Sequence, residues 1–276
     1  MSEQPIVCLP EFGVIKLTGE DAYSFLQGQV TCDVLNLKEQ EFVPGCHCNA
    51  KGKMWSTFIA VANGDDILLI MSKSSLVFSL AELSKYGVFA KVDINDDSES
   101  WSIYGTDSVD GIDTKFQIQL AEQHYLLLSD TKVNAATDNK TWWKNEILSG
   151  RAHLSAGLEQ EYIPQMLNVQ ALDYISFSKG CYMGQEMVAR TRYLGRNKRA
   201  LYLAEIEQEV ELESGADIAI ELNGNKRNIG KIIQSTQYQG KTYLQLVLPN
   251  DTALTEILYT SAQQPLKLLE LPYSLD

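Results

Sequence analysis

The chain has 276 residues, of which 45% are hydrophobic and 21% are charged, and its formal net charge is −13. This composition is typical of a globular protein with one large domain, or with one large and one small domain. A general nucleic-acid binder needs basic surface, so the acidic balance argues against binding of RNA or DNA by bulk electrostatics.

The N-terminus and the cysteines predict a cytoplasmic protein. No apolar run approaches the roughly 20 residues that a membrane helix needs, and the short acidic start at residues 1–5 does not resemble a signal peptide. The chain has five cysteines. An odd number without a secretory signal argues against a disulfide framework, so we expect reduced thiols.

The pattern of the first hundred residues predicts an α+β unit. Thr18 is expected to cap a first helix that ends near Gly28, and a stripe of leucines predicts a second helix over 72–86. Asn63-Gly64 is typical of a hairpin turn. We expect strands at 13–17, 42–48, 54–61, 67–71 and 88–94.

A second, less regular succession of strands and a helix follows along the chain. Two similar α+β halves packed into one domain are the expected result. We predict strands at 101–104, 116–120 and 125–128, and a helix over 141–148.

After about residue 197 the sequence changes to short β-like runs. Asn223-Gly224 and Gln239-Gly240 mark turns between some of them. Six short strands with little helical signal predict a small antiparallel barrel. The fold class is therefore α+β, with a two-halved domain over 1–196 and a barrel over 197–276. The barrel strands are expected at 200–206, 218–222, 229–233, 242–248, 256–259 and 266–269.

The segment richest in chemistry is KGCYMGQE at 179–186, in which two glycines flank Cys181. A helix predicted over 185–192 would begin just after the cysteine. The field at that helix end and the nearby Lys179 would raise the reactivity of the thiol. The residues leave two interpretations open, a reactive thiol and an inert cysteine buried in a tight turn.

The residues that follow form a basic island on an acidic protein, and an anionic ligand is the expected partner of such an island. In the predicted helix Glu186 and Arg190 lie four residues apart, so we expect them to pair. The basic residues of the island are Arg190, Arg192, Arg196 and Lys198.

The run Cys46-His47-Cys48 has residue types that bind metals. Structural zinc sites use two paired ligand sets, and the sequence has no second pair. In a strand Cys46 and Cys48 face one side and His47 the other. We therefore expect core cysteines and no metal site, and the sequence leaves open whether Cys181 joins them.

Three further residues suit a ligand with a flat ring and an anionic tail. Lys51, in a loop after this strand, contacts either solvent or such a tail. Phe12 and Trp142 lie at element ends, where aromatic residues are core residues or stack on a heterocycle.

Several blocks of the sequence are specific enough to carry a resemblance. Together with the cysteine segment, they resemble the YgfZ family, which is related in fold to the T-protein of the glycine cleavage system. The remaining blocks are LQGQVTCDV at 26–34, HCNAKGKMW at 47–55, IPQMLNVQAL at 163–172, NKRA at 197–200 and LPYSL at 271–275.

The resemblance implies a folate-binding domain of two α+β halves, followed by a β-barrel, with reduced folate in a central channel. It implies that Trp142 and Phe12, where a Trp is more usual, contact the folate. Cys181 would be the working thiol, with Lys179 and Glu186 beside it. The further folate contacts that we predict are Lys51, Tyr182, Gln185, Arg190 and Arg192.

The family is similar to proteins that support iron–sulfur enzymes, including radical enzymes that thiolate tRNA. The resemblance therefore implies an accessory protein with folate as its cofactor and such enzymes as indirect partners, without membrane binding. The chain is shorter than expected for the family, and the missing residues are expected between about 105 and 140.

One departure from the T-protein bears on catalysis. The T-protein has an acidic pair whose aspartate assists aminomethyl transfer to tetrahydrofolate, and this chain has Trp55-Ser56 there. Because the carboxylate is missing, an aminomethyltransferase is not the expected activity. A folate-dependent aminomethyl or methyl transferase is kept as the alternative.

Overall fold

The computed structural model describes residues 6–195, 197–222 and 224–275, in which fifteen strands and four α-helices are found. Three sequence predictions, on residues 1–5, Arg196 and Asn223, lie outside these ranges. The helices are α1 (Ala22–Gln27), α2 (Lys73–Gly87), α3 (Lys140–Leu148) and α4 (Gln185–Leu194). The strands are β1 (Val7–Cys8), β2 (Phe12–Thr18), β3 (Val43–Cys48), β4 (Met54–Asn63), β5 (Asp66–Ser72), β6 (Asp93–Asp96), β7 (Ser102–Thr106), β8 (Phe116–Ala121), β9 (His124–Ser129), β10 (Arg199–Ile206), β11 (Asp217–Leu222), β12 (Asn225–Tyr238), β13 (Lys241–Pro249), β14 (Leu258–Thr260) and β15 (Pro265–Leu269).

The first half contains a five-stranded antiparallel sheet in the order β3-β4-β5-β2-β6. Both faces of its central strands are buried, because successive side chains point to opposite faces. Ile15 and Leu69 pack in the core that α1 and α2 cover, whereas Val14 and Ile70 pack in the core on the other face. The predicted hairpin between β4 and β5 is confirmed.

The second half contains a four-stranded antiparallel sheet in the order β1-β7-β9-β8, with α3 packed nearby. Ile103 and Leu126 of this sheet share one core with Val14 and Ile70 of the first sheet. The sequence did not predict β1, because two residues are too few to give a periodic signal.

The C-terminal strands form a closed antiparallel barrel in the order β10-β13-β12-β11-β14-β15. Its interior is aliphatic, and Leu201, Ile233 and Val247 pack instead in a core shared with residues of the first half and of α4. The predicted six-stranded barrel is confirmed, and the domain boundary at residue 197 stays a prediction. None of the described helices is long and apolar enough to cross a membrane.

Two local predictions in the first half are wrong. Thr18 is the last residue of β2, and the N-cap of α1 is Asp21. The strand expected over 88–94 begins only at Asp93, and Phe89 before it is 89% exposed in the turn after α2. A high β-propensity reflects packing on a pleated surface, and this turn offers no neighbouring strand to pack against.

Hydrogen bonds of Thr31 connect the first half to the segment that leads to Cys181. Its buried hydroxyl donates a hydrogen bond to the carbonyl of Tyr174 over 2.6 Å and accepts one from the backbone N–H of Cys46 over 2.9 Å. Its own carbonyl accepts a hydrogen bond from the N–H of Ser176. The loop after α1 therefore fixes both β3 and the chain that precedes the cysteine.

Replacing Thr31 by Val keeps the shape of the side chain but leaves a buried carbonyl and a buried N–H without partners. We expect Thr31→Val to lower the free energy of unfolding by about 1–3 kcal/mol. Urea denaturation measures this change. Thr137→Val, at an exposed position, is the control and should change stability by less than about 0.5 kcal/mol. Equal stability of the two variants would contradict the role given to Thr31.

Candidate functional site

Cys181 is an exposed free thiol in the turn before α4. Cys32, Cys46 and Cys48 are buried, and Cys8 is half-buried. Of the two interpretations that the sequence left open, the buried cysteine is excluded. A reagent or a partner protein can reach this sulfur without a change in the fold.

Two glycines bring separate sequence blocks together beneath this turn. Gly184, just before α4, has φ +82°, and a Cβ there would lie 2.5 Å from the carbonyl oxygen of Asn49. A Cβ at Gly52 would lie 2.9 Å from the Cβ of Met187. Only glycines allow this close approach. The loop that carries the exposed Lys51 therefore packs directly against the cysteine segment.

Lys179 ties a third block to the same turn. Its ammonium donates hydrogen bonds to the carbonyls of Gln27, Val30 and Cys32 over 2.7, 2.8 and 2.6 Å. It also lies 5.2 Å from the ring centroid of Tyr182. Burial lowers the pKa of Lys179 to about 8, so the group is still protonated at neutral pH. The backbone carbonyls of the loop after α1 therefore accept all three hydrogen bonds that the ammonium can donate.

The helix after the turn carries three predicted site residues. Glu186 and Arg190 are both exposed, and within the described part of the chain no ion pair joins them, so the predicted pair is wrong. An exposed pair gains little energy and loses side-chain entropy. Gln185 is half-buried, and its N–H donates to the carbonyl of Tyr182, whose side chain is buried.

Arg192 lies apart from these residues in the last turn of α4. The centre of its guanidinium is 3.8 Å from the ring centroid of Phe177. Both side chains line a cavity of about 610 Å³ between α4, the start of β10 and residues 271–275.

Phe12 and Trp142 come together, but in a buried aromatic cluster. Each is 4% exposed, and their ring centroids are 5.9 Å apart in an edge-to-face arrangement. Trp143 stacks on Phe12 at 5.6 Å, and the ring of His153 meets Phe12 edge-on at 5.0 Å. The Trp142 indole N–H donates to the carbonyl of Tyr125 over 3.0 Å. A small cavity of about 70 Å³ lies beside Trp142.

The predicted site residues therefore form three groups. Lys51, Lys179, Tyr182, Gln185 and Glu186 surround the turn of Cys181, Phe12 and Trp142 form the aromatic cluster, and Arg192 lines the large cavity. Arg190 is exposed on α4. Among the described residues, no recorded hydrogen bond, ion pair or ring contact joins the aromatic pair to the predicted cations. The roles of these residues stay predictions.

Comparisons with known proteins match the whole length of the chain. It is 35% identical to the tRNA-modifying protein YgfZ of Colwellia psychrerythraea, over 100% of this chain and 95% of that protein. It is 37% identical to the tRNA-modifying protein YgfZ of Aliivibrio fischeri, over 97% of this chain and 92% of that protein. The chain belongs to the YgfZ family. No family model matches it. The Colwellia alignment spans 307 positions, more than the 276 residues present here.

The fold of this YgfZ-family chain is also similar to a solved structure, the glycine cleavage system aminomethyltransferase T from Bartonella henselae. The TM-score is 0.69 at 10% sequence identity, covering 98% of this chain and 86% of that chain. At this identity the similarity shows the fold alone. It confirms the predicted relation to the T-protein and the predicted α+β fold class with a C-terminal barrel.

In this YgfZ-family chain the run Cys46-His47-Cys48 lies in the core. In the ranges that the structure describes, no group of three or more His, Cys, Asp or Glu side chains could hold a metal. Cys46 and Cys48 are buried, and burial raises the pKa of both thiols. Because Cys181 is exposed, it does not join them.

Ser56 lies where the resemblance places the acidic pair of the T-protein. It is buried, and its hydroxyl is 2.7 Å from the hydroxyl of Ser79. Ser79 in turn is 3.2 Å from Nδ1 of His47. Burial lowers the pKa of His47 to about 3, so the imidazole is neutral at neutral pH. This buried chain of hydrogen bonds contains no carboxylate.

Sequence reasoning missed a buried carboxylate, Glu146 of α3. His124 Nε2 and His153 Nε2 each lie 2.6 Å from its carboxylate oxygens, and Arg151 Nε lies at 3.3 Å. Burial would raise the pKa of Glu146, but the Arg151 charge and the two histidine hydrogen bonds outweigh it and lower that pKa well below its usual range. The sequence contains one signal for a buried Glu146. It follows Trp142 by four residues, so both side chains lie on the same, buried face of the helix.

Replacing Lys179 by Met removes the donors for three carbonyls, of which those of Val30 and Cys32 are buried, whereas replacing Cys181 by Ala changes an exposed side chain. Each buried group left without a partner costs about 1–3 kcal/mol, so we expect Lys179→Met to lower the free energy of unfolding by about 3 kcal/mol or more. Cys181→Ala should change it by less than about 0.5 kcal/mol. Urea denaturation compares the two, and similar stability of both variants would refute this assignment for Lys179.

Glu146→Gln removes the charge that faces Arg151 in the core. Because loss of one partner of a buried pair costs about 3–5 kcal/mol, we expect a decrease of this order in the free energy of unfolding at pH 7. The pKa of Glu146 is lowered by folding, so its contribution is present above the ordinary glutamate pKa and is lost as the pH falls below it.

The difference in stability between the wild type and Glu146→Gln should therefore shrink from pH 6 to pH 3, as measured by urea denaturation at each pH. His47, with its lowered pKa, adds a loss of stability from about pH 6.5 towards pH 3 in both proteins, so it cancels in the difference. A difference that stays constant across this range would contradict the charged state of Glu146.

Proposed function

We propose that this protein is a folate-binding accessory factor in tRNA modification, that it supports iron–sulfur enzymes, and that Cys181 is its working thiol. The observation that carries the proposal is the accessibility of Cys181 on a turn that two distant sequence blocks hold in place. The relatives from Colwellia psychrerythraea and Aliivibrio fischeri are named tRNA-modifying proteins, which supports the same process for this chain.

The surroundings of the thiol suit a protein partner rather than a buried reaction chamber. Glu186 lies in the first turn of α4 beside it, and Met187, Tyr193 and Leu194 of the same helix are exposed. Exposed apolar side chains on the helix that follows a reachable thiol fit a transient contact with a client enzyme. Five free cysteines fit the reducing cytoplasm, where we propose that the protein acts.

The folate part of the proposal rests on the resemblance and on residue chemistry. Phe12 and Trp142 offer aromatic faces, and Lys51, Arg190 and Arg192 offer cations for the glutamate tail. Tyr182 and Gln185 are the further proposed contacts. Because Trp143 already covers one face of Phe12, a pterin can stack there only when the Trp143 ring leaves that face.

Aminomethyl or methyl transfer to folate is the second candidate, and the T-protein fold favours it. A proton acceptor at the reacting amine is what such a transfer requires. The buried Ser56, hydrogen-bonded to Ser79, supplies no carboxylate at the position that the resemblance marks. We therefore propose an accessory role for this protein rather than a transferase activity.

The test replaces the thiol in a strain that lacks the corresponding gene. We expect Cys181→Ala to fail to restore the thiolated tRNA nucleosides, measured by mass spectrometry of digested tRNA, although the variant is folded. Cys8→Ala, which removes another free thiol, is the matched control and should restore them. Full restoration by Cys181→Ala would exclude a working thiol. Turnover of an aminomethylated carrier protein with tetrahydrofolate would favour the transferase instead.

A further inference from the structure

Two cavities meet beside α3. The smaller has a volume of about 70 Å³ and lies next to Trp142, and the larger has a volume of about 480 Å³ and is lined by residues of β9, α3 and the end of β12. Both are lined by the same four residues, so the two cavities adjoin. These residues are Asp107, His124, Thr141 and Asn145.

His124 offers a hydrogen-bond acceptor to these cavities. Its side chain is 4% exposed, and its Nε2 lies 2.6 Å from a carboxylate oxygen of Glu146. A carboxylate can only accept, so Nε2 carries a proton and Nδ1 of the neutral ring keeps a lone pair. In the described part of the chain no hydrogen bond is recorded for Nδ1, and this atom does not belong to the completely covered polar atoms that lack a partner. Its lone pair is therefore available to a donor in the cavities.

The charges around Glu146 favour the neutral form of His124. Arg151 Nε lies 3.3 Å from the other carboxylate oxygen of Glu146, so this carboxylate already has a counter-ion. A second proton on His124 would add a positive charge in the core, which is costly without a further carboxylate. His124 therefore accepts a hydrogen bond at Nδ1 instead of donating one.

Asp107 supplies negative charge at the point where the cavities adjoin. It is half-buried, and within residues 6–195, 197–222 and 224–275 no hydrogen bond or ion pair is recorded for its side chain. Asp138 adds a carboxylate to the small cavity, although its Oδ1 already accepts from the N–H of Lys140 over 3.2 Å. None of the described residues that line the small cavity is a lysine or an arginine.

Trp142 forms an aromatic wall of the small cavity. Its ring centroid is 4.9 Å from that of His124, and its indole N–H is used by the carbonyl of Tyr125. The ring face of a tryptophan attracts cations. A carboxylate, an imidazole lone pair and an aromatic ring together select a positive group that carries N–H donors. The volume of about 70 Å³ gives room for a few heavy atoms and not for a pterin.

The larger cavity has a different charge at its wall. Lys144 lines it, with Nζ at 5.2 Å from the ring centroid of Tyr238. No ion pair is recorded for Lys144 among the residues that the structure describes. A ligand tail in this cavity meets a cation without a counter-ion, so an acidic tail fits and a second positive charge does not.

We propose that the two cavities form one binding site for a small organic cation, with a guanidinium or primary ammonium head in the small cavity and an acidic tail beside Lys144. The head donates to Asp107 and to Nδ1 of His124 and lies against Trp142. Free arginine has this chemistry. The proposal does not rest on the proposed function, because neither Cys181 nor a folate takes part in it.

Isothermal titration calorimetry of the full chain with L-arginine tests the proposal. We expect a Kd below about 1 mM. L-citrulline, which has an uncharged head of the same shape, should bind about tenfold more weakly or worse, and so should L-arginine to Asp107→Asn. Asp110→Asn removes an exposed carboxylate that lines neither cavity. It is the matched control and should stay within about twofold of the wild type.

Lys144→Met tests the position of the tail. It should weaken the binding of L-arginine by about threefold or more and should not weaken that of agmatine, which lacks the carboxylate. Equal effects on the two ligands would overturn the position of the tail.

Three results would each overturn the site itself. They are no binding of L-arginine, equal binding of L-citrulline, and unchanged binding of L-arginine to Asp107→Asn. If circular dichroism shows that Asp107→Asn is unfolded, the comparison of the two ligands on the wild type decides.

Discussion

The hydrogen bonds from the Lys179 ammonium to three backbone carbonyls are the interaction on which the cysteine turn depends. A buried cation normally needs a carboxylate, but here the partial negative charges of the loop after α1 take that place. Because the partners of Lys179 are main-chain atoms, the interaction requires a particular backbone conformation of residues 26–34. That shape is also fixed by Thr31, which binds both β3 and the chain before the motif. The position of Cys181 follows from these two anchors and from the contact of Gly184 with the loop at 49–53.

The sequence predicts the elements of this fold well where one face or both faces of a strand are buried. Strands β2, β4 and β5 are mostly apolar because each residue enters one of two cores, and the barrel strands bury one face in the aliphatic interior. It predicts the separation of Cys46 and Cys48 from His47 because successive side chains of a strand point to opposite faces. It does not predict the partners of Lys179, which lie 147 to 152 positions away along the chain. Nor does it predict Glu146, because a carboxylate on a helix is ordinarily solvated.

Two chemically different regions lie at opposite ends of α4. The exposed thiol precedes its first residue, and the cavity with Arg192 lies at its last turn, so about 15 Å of helix separates them at 1.5 Å per residue. Phe177, which lies under Arg192, is four residues before Cys181 in the sequence. The wall of the cavity and the thiol therefore belong to one short, continuous stretch of backbone.

The first strand has a mechanical consequence for the space around Phe12. β1 pairs with β7 in the second sheet, and β2, which begins at Phe12 after only three intervening residues, belongs to the first sheet. This short connection joins the two sheets, which also share one buried core. Separation of the sheets would expose that core, so access to the covered face of Phe12 requires less change if Trp143 rotates or α3 is displaced.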